Sequence, residues 1–169
     1  MDITQLILDD HHEQRRLFAM IDEIDAADIR NLDAIWNRLA TFLEVHAETE
    51  EKIFYPELLR IGRRRGEKDD VEDETLDAIK DHNEIRDAVA AVAHEKTGSD
   101  GWFKAIAAAN KANGDHMAEE EREGLTEFRR LASLQVRHDL AVKFAAREFA
   151  HVTGVTPVDR DPEKWVADH

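Results

Sequence analysis

The chain contains no cysteine. Disulfides, zinc–thiolate sites and iron–sulfur clusters are therefore excluded. Only three prolines and seven glycines occur in 169 residues, so few positions interrupt a helix. No apolar run approaches the roughly 18–20 residues needed to span a bilayer. Positive charge is also scarce: 23 Lys and Arg stand against 38 Asp and Glu, a formal net charge of −15. That balance argues against nucleic acid and anionic membranes as partners. The basic run Arg63-Arg64-Arg65 is short and flanked by acid, and reads as part of a solvated loop over Gly62 to Asp70. Met1-Asp2-Ile3 shows no secretory leader, which makes a cytoplasmic location the expectation.

What the chain does have is helical periodicity. Ile3, Ile7, His11, Gln14, Phe18, Ile21 and Asp25 recur at three- and four-residue steps, predicting an amphipathic helix over about 3–27. Asn31 is a candidate cap for the next helix, whose stripe is Ile35, Leu39, Phe42, His46, Glu50 and Ile53. Pro56 should kink or end that helix, with a last turn reaching Ile61. A third stripe runs through Ile79, His82, Ile85, Val89 and Val92. After a turn at Thr97–Gly101, a fourth runs through Ile106, Ala109, Asn113, His116, Glu120, Phe128 and Leu131. A further helix is expected over about 134–151, then an irregular tail past Gly154 and Pro157. The expected fold is all-α, an up-down-up-down four-helix bundle over residues 1–133, with residues 134–169 adding a short C-terminal helix and a tail packed on it.

Each of the four main helices carries one histidine on its apolar stripe, and the polar residues repeat. His46 and Glu50 form a His-x-x-x-Glu pair, and so do His116 and Glu120. Each pair sits on one helix face, one turn apart. Upstream lie Asp10-His11 in D-D-H-H-E-Q-R and Asp81-His82 in K-D-H-N-E-I-R. His11 to His82 is 71 residues; His46 to His116 and Glu50 to Glu120 are both 70. Two copies of one half-site imply a pseudo-twofold axis. Burying four imidazoles and two carboxylates without partners costs several kcal/mol for each ionised group. A metal removes that cost. The donors suit two ions of the imidazole-and-carboxylate type, with iron the leading candidate, although zinc accepts the same donors.

Other polar residues carry less. His12 has no counterpart in the repeat, where Asn83 stands, and His94, His138, His151 and His169 lie at helix ends or outside the bundle. Glu51 and Glu121 recur one residue past each Glu and read as exposed or supporting residues. Asp10 and Asp81 are suited to orienting an imidazole through its free N–H, although neighbours on a helix turn apart. Tyr55 points about 140° from Glu50 on an ideal helix. Unwinding at Pro56 would bring its oxygen to the metal; otherwise it packs in the core. A ferritin-like site would need repeated Glu-x-x-His, and only Glu148-x-x-His151 occurs. The lone dipeptide His138-Asp139 is weak support for a metal hydrolase.

H-A-E-T-E-E-K-I-F-Y-P, with D-H-H-E-Q-R before it and D-H-N-E-I-R and H-M-A-E-E after it, resembles the hemerythrin-like, or HHE cation-binding, domains over about residues 3–132. The resemblance implies a non-haem di-iron centre. His11, His46, His82 and His116 would be terminal ligands, and Glu50 and Glu120 would bridge the two iron ions. The extra helix and short tail look most like the small mycobacterial hemerythrin-like proteins, some of which break down hydrogen peroxide. True hemerythrins carry a fifth histidine on the third helix, where Ala78 and Arg86 flank His82 here, and an aspartate five residues after the last histidine, where Glu120 stands at plus four. A four-histidine site leaves more open positions, which favours redox chemistry over reversible oxygen carriage. The function expected is therefore a catalase-like oxidoreductase acting in oxidative-stress defence, with Tyr55 as its candidate catalytic side chain. The alternatives are binding or sensing of O2 or NO, and iron handling. A monomer or weak dimer is expected.

Overall fold

A computed structural model describes residues 1–169. It is all helical: α1 Ile3–Asp22, α2 Ile29–Thr49, a π-helical turn Glu50–Phe54, α3 Tyr55–Arg65, α4 Lys68–Val92, α5 Asp100–Arg122, α6 Gly124–Leu131, α7 Leu134–Ala150 and α8 Pro162–Asp168. Side chains with short polar arms open the main helices. Asp2 accepts from Thr4 N–H, Asp28 from Asn31 N–H and Ser99 from Trp102 N–H, each satisfying a donor that a helix start leaves free.

The core is two apolar clusters with a polar layer between them. One holds Ile3, Ile7, Phe54, Leu58, Ile79, Leu125, Phe128, Phe144 and Trp165. The other holds Leu17, Phe18, Ile21, Trp36, Leu39, Val92, Trp102 and Ile106. Each such side chain contributes roughly 1.5–3 kcal/mol on burial. The first cluster takes the start of α1, the residues just past the end of α2, the start of α4 and the residues beyond α5. The second takes the opposite end of each helix. The four helices therefore alternate in direction, as expected of an up-down-up-down bundle. Between the clusters lie buried His11, Gln14, His46, Glu50, His82, Asn113, His116 and Glu120.

Several boundaries differ from the expectation. α1 ends five residues early, and Asp28 rather than Asn31 caps α2. Gly62–Asp70 is mostly helical: α3 runs to Arg65, Gly66 closes it with φ 83, and α4 starts at Lys68. Glycine suits that left-handed position. Arg63 is not a free loop cation; it pairs with Glu72 at 2.8 Å and donates to the Val166 carbonyl at 3.0 Å. The fourth helix breaks at Glu123 into α5 and α6. The tail is not wholly irregular, because Asp161 caps α8, which buries Trp165 and Val166. No helix is long and apolar enough to cross a membrane.

Candidate metal centre

The polar layer brings five of the six expected donor residues into two groups, with Glu120 beside His11 and outside both groups. His11, His46 and Glu50 form one buried group, and Glu50, His82 and His116 form a second, the donor atoms in each lying within 4.8 Å of one another. Glu50 belongs to both: its Oε1 is 2.9 Å from His46 Nε2 and its Oε2 is 3.3 Å from His82 Nε2. His82 Nε2 and His116 Nε2 stand 3.1 Å apart. Glu120 Oε2 lies 3.2 Å from His11 Nε2. His11 Nε2, His46 Nε2, both Glu50 oxygens and Glu120 Oε2 are buried without a hydrogen-bond partner. Orphaned donors are costly unless something binds them. Two donors about 2.1 Å from one ion sit about 3 Å apart, which is the spacing seen here.

The far nitrogen of every imidazole faces a carboxylate from another helical segment. His11 Nδ1 meets Glu121 at 2.9 Å and His82 Nδ1 meets Glu51 at 3.1 Å. His46 Nδ1 faces Asp10 at 3.3 Å and His116 Nδ1 faces Asp81 at 3.5 Å. Asp10 and Asp81 thus serve the histidine of the next helix, which removes the objection that sequence neighbours turn apart. Arginines complete the symmetry: Arg15 donates to Glu121 at 2.8 Å and Arg86 to Glu51 at 2.8 Å. At His11 and His82 the Nδ1 hydrogen bonds favour the Nδ1–H tautomer and aim Nε2 inward, while at His46 and His116 the carboxylate faces Nδ1 without a hydrogen bond.

Without metal, three of the imidazoles are held above their usual range. Burial disfavours a charged His82, but contacts with Glu50 and Glu51 outweigh it and hold the imidazole up at about 9. His46 is likewise raised well above the usual range, the Glu50 charge overcoming burial. Burial acts against Glu51 as an anion, yet His82 and Arg86 bring it down to about 2; its hydrogen bond to His11 does the same for Glu121.

The family model for the hemerythrin HHE cation-binding domain matches residues 2–128. The chain belongs to the hemerythrin HHE family. No curated protein and no solved structure matches it. In this hemerythrin-family domain the matched span covers all six donor residues and Tyr55.

Tyr55 also reaches the layer. Its hydroxyl donates to Glu120 Oε1 at 2.5 Å, and its ring centroid is 6.0 Å from that of His82. The backbone does not unwind at Pro56. Instead Tyr55 N–H bonds to Glu50 O, a five-residue step that widens the helix by one residue and swings Tyr55 inward. Pro56 then sits in the first turn of α3, where its missing N–H costs little. His12 stays outside the layer.

Two residues beyond the matched span also reach the layer, Glu148, whose spacing to His151 is a lone Glu-x-x-His, and Arg160. Glu148 on α7 places Oε1 3.6 Å from His46 Nδ1, and Arg160 donates to Glu51 Oε2 at 3.2 Å. Asp10, His46 and Glu148 form a third donor group. It uses Nδ1 of His46, so it reads as support for that imidazole. The available signal was helical spacing: Phe144 and Glu148 share a face of α7, and Phe144 stacks edge-on against His46 at 6.0 Å.

Proposed function

We propose that His11, His46, Glu50, His82, His116 and Glu120 hold two non-haem iron ions with the two glutamates bridging, and that the protein decomposes hydrogen peroxide in oxidative-stress defence. The observation that carries the two-ion reading is Glu50, whose two oxygens face two separate histidine pairs. Six protein donors cannot fill the coordination of two iron ions, so positions remain for a small molecule.

The overall change is 2 H2O2 → 2 H2O + O2. Iron held by these residues would supply and recover the two electrons by cycling between two oxidation levels. The chain's own groups orient, exclude water and hold protons. In the metal-free layer, burial and the charges of Glu120 and Glu50 raise the Tyr55 hydroxyl well above its usual range. The hydroxyl presents its proton to Glu120 Oε1, beside the donor cluster. Phe42 and Phe144 pack edge-on against His46 and limit water there.

One observation favours a second reading, binding of an uncharged gas such as O2 or NO without turnover. A cavity of about 340 Å³ lies between α2, α4 and the tail. Leu43, Ala47, Ile85, Val89 and Val155 line it together with His82. An oxygen-release assay with peroxide on iron-loaded protein, with iron measured on the same sample, separates the two. Sustained oxygen release supports the peroxide reading. Reversible oxygenation of the reduced protein without peroxide turnover replaces it.

A further inference from the structure

Inside the matched span the groups around the imidazoles correspond, except that Arg86 also pairs with Glu44 at 2.9 Å, a contact Arg15 lacks, and that Tyr55 stands where the other half has Leu125. His11–Glu121–Arg15 mirrors His82–Glu51–Arg86, and Asp10–His46 mirrors Asp81–His116. The C-terminal segment breaks this correspondence in two further places. At His46, Nδ1 faces two carboxylates, Asp10 at 3.3 Å and Glu148 at 3.6 Å, whereas His116 has Asp81 alone. At Glu51 there are two guanidinium groups, Arg86 at 2.8 Å and Arg160 at 3.2 Å, whereas Glu121 has Arg15 alone.

Both additions are built in. Arg147, beside Glu148, donates to Glu48 Oε2 at 3.0 Å and ties α7 to α2. The Arg160 backbone is clamped by Asn83, which receives its N–H at 2.9 Å and donates to its carbonyl at 2.6 Å. Asn83 stands where the first half of the repeat has His12, so Arg160 docks at one of the two positions where D-H-H-E-Q-R and D-H-N-E-I-R differ, the other being Gln14 and Ile85.

The two additions act in opposite senses on opposite halves. A carboxylate charge close to Nδ1–H makes an imidazole a stronger donor at Nε2, and at 3.6 Å Glu148 acts on His46 through its charge rather than through a hydrogen bond. A cation on the supporting carboxylate draws that electron density back. Stronger donation and nearby negative charge favour the higher oxidation state of a metal ion; weaker donation and positive charge favour the lower.

We propose that Glu148 and Arg160 are positioning residues that make the two metal sites unequal, so that the ion held by His11 and His46 oxidises first and the ion held by His82 and His116 stays reduced longer. This rests on the two-iron reading above. When one electron from a low-potential donor such as dithionite enters the diferric protein, one Fe(III) becomes Fe(II), and that ion is the one at His82 and His116.

The test uses full-length protein loaded with 57Fe, with iron counted per chain. Mössbauer spectra are recorded for the diferric and one-electron-reduced forms of the unsubstituted chain, Glu148→Gln, Arg160→Gln and the double variant. The expected result is two resolved doublets, one moved by Glu148→Gln and the other by Arg160→Gln. In the double variant the doublets converge and the two one-electron steps draw together in potential. Arg160→Lys, which keeps the charge, restores the unsubstituted pattern. A merely structural role would instead shift both doublets together or release iron. Two irons per chain with spectra unmoved, or moved alike, overturn this inference alone. Fewer than two irons in the unsubstituted chain overturn the metal reading and this inference with it.

Discussion

The Tyr55 hydroxyl donates a 2.5 Å hydrogen bond to Glu120 Oε1, joining residues 65 apart in sequence. The π-helical turn at Glu50–Phe54 makes that contact possible. It leaves the phenol as a proton-bearing group at the donor cluster. Leu125 stands at the equivalent position of the other half and offers no such proton.

Tyr55→Phe should keep both irons yet slow peroxide turnover by roughly 10²–10⁴-fold, the usual effect of losing a positioned proton donor. Its iron spectrum should also change, because Glu120 loses a hydrogen bond. Steady-state oxygen release and the optical spectrum check this. An unchanged rate and spectrum would make Tyr55 a packing residue.

His46→Ala and His116→Ala should each lose metal, and His12→Ala should not. The first two remove a donor buried in the layer, while His12 contributes to neither donor group. Metal content of the purified variants decides it. Loss of iron from His12→Ala as readily as from His11→Ala would reassign the first ligand.

Asp10→Asn and Asp81→Asn should retain the fold and weaken metal binding by roughly 10–100-fold, because each removes a carboxylate charge that faces an imidazole from another helix. Competition with a chelator of known affinity measures this. Affinity equal to that of the unsubstituted chain would show that the contacts do not support the ligands.

Metal binding should weaken in acid. In the metal-free protein His82 is held at about 9, above its ordinary 6.5, and His46 is also raised. At pH 7 both carry a proton that a metal must displace. Below about pH 9 apparent affinity should therefore fall by about tenfold per pH unit for the proton displaced from His82, and more steeply where His46 also gives one up. Metal-free stability runs the other way. The His82 contribution is full below 6.5 and lost as pH rises through about 9. The Glu51 and Glu121 contributions are full above 4.5 and lost as pH falls through about 2. Glu74, pushed up to about 8 by burial and the Glu120 charge, gives its full contribution below 4.5 and loses it as pH rises through about 8, so the metal-free chain should be most resistant to urea near pH 4.5 and less so toward pH 9. A pH-independent chelator competition would contradict the first part, and a urea midpoint that peaks above pH 8 the second.

The donors were legible because a one-turn spacing and a repeat of 70 or 71 residues are local properties of the chain. The fold class followed from the same stripes. The inward turn of Tyr55 was not legible, since it depends on a one-residue change of helical pitch before Pro56. The Gly62–Asp70 stretch reads as a loop by composition. It is helical because Arg63 and Glu72 pair across α3 and α4, and because Gly62 lets Val71 pack where a Cβ would come within 2.5 Å. α8 forms by burying Trp165 and Val166 against the bundle, a tertiary contact its sequence does not display, although Asp161-Pro162 is a helix-start signal. Glu148 and Arg160 lie outside the repeat, so only packing reveals what they touch.

The most direct test is the metal content of the full chain, expressed with ample iron and purified without added zinc. The account predicts close to two irons per chain, falling sharply in Glu50→Ala because that side chain faces both histidine pairs. A content near zero, or a single tightly held zinc with no iron, would contradict it.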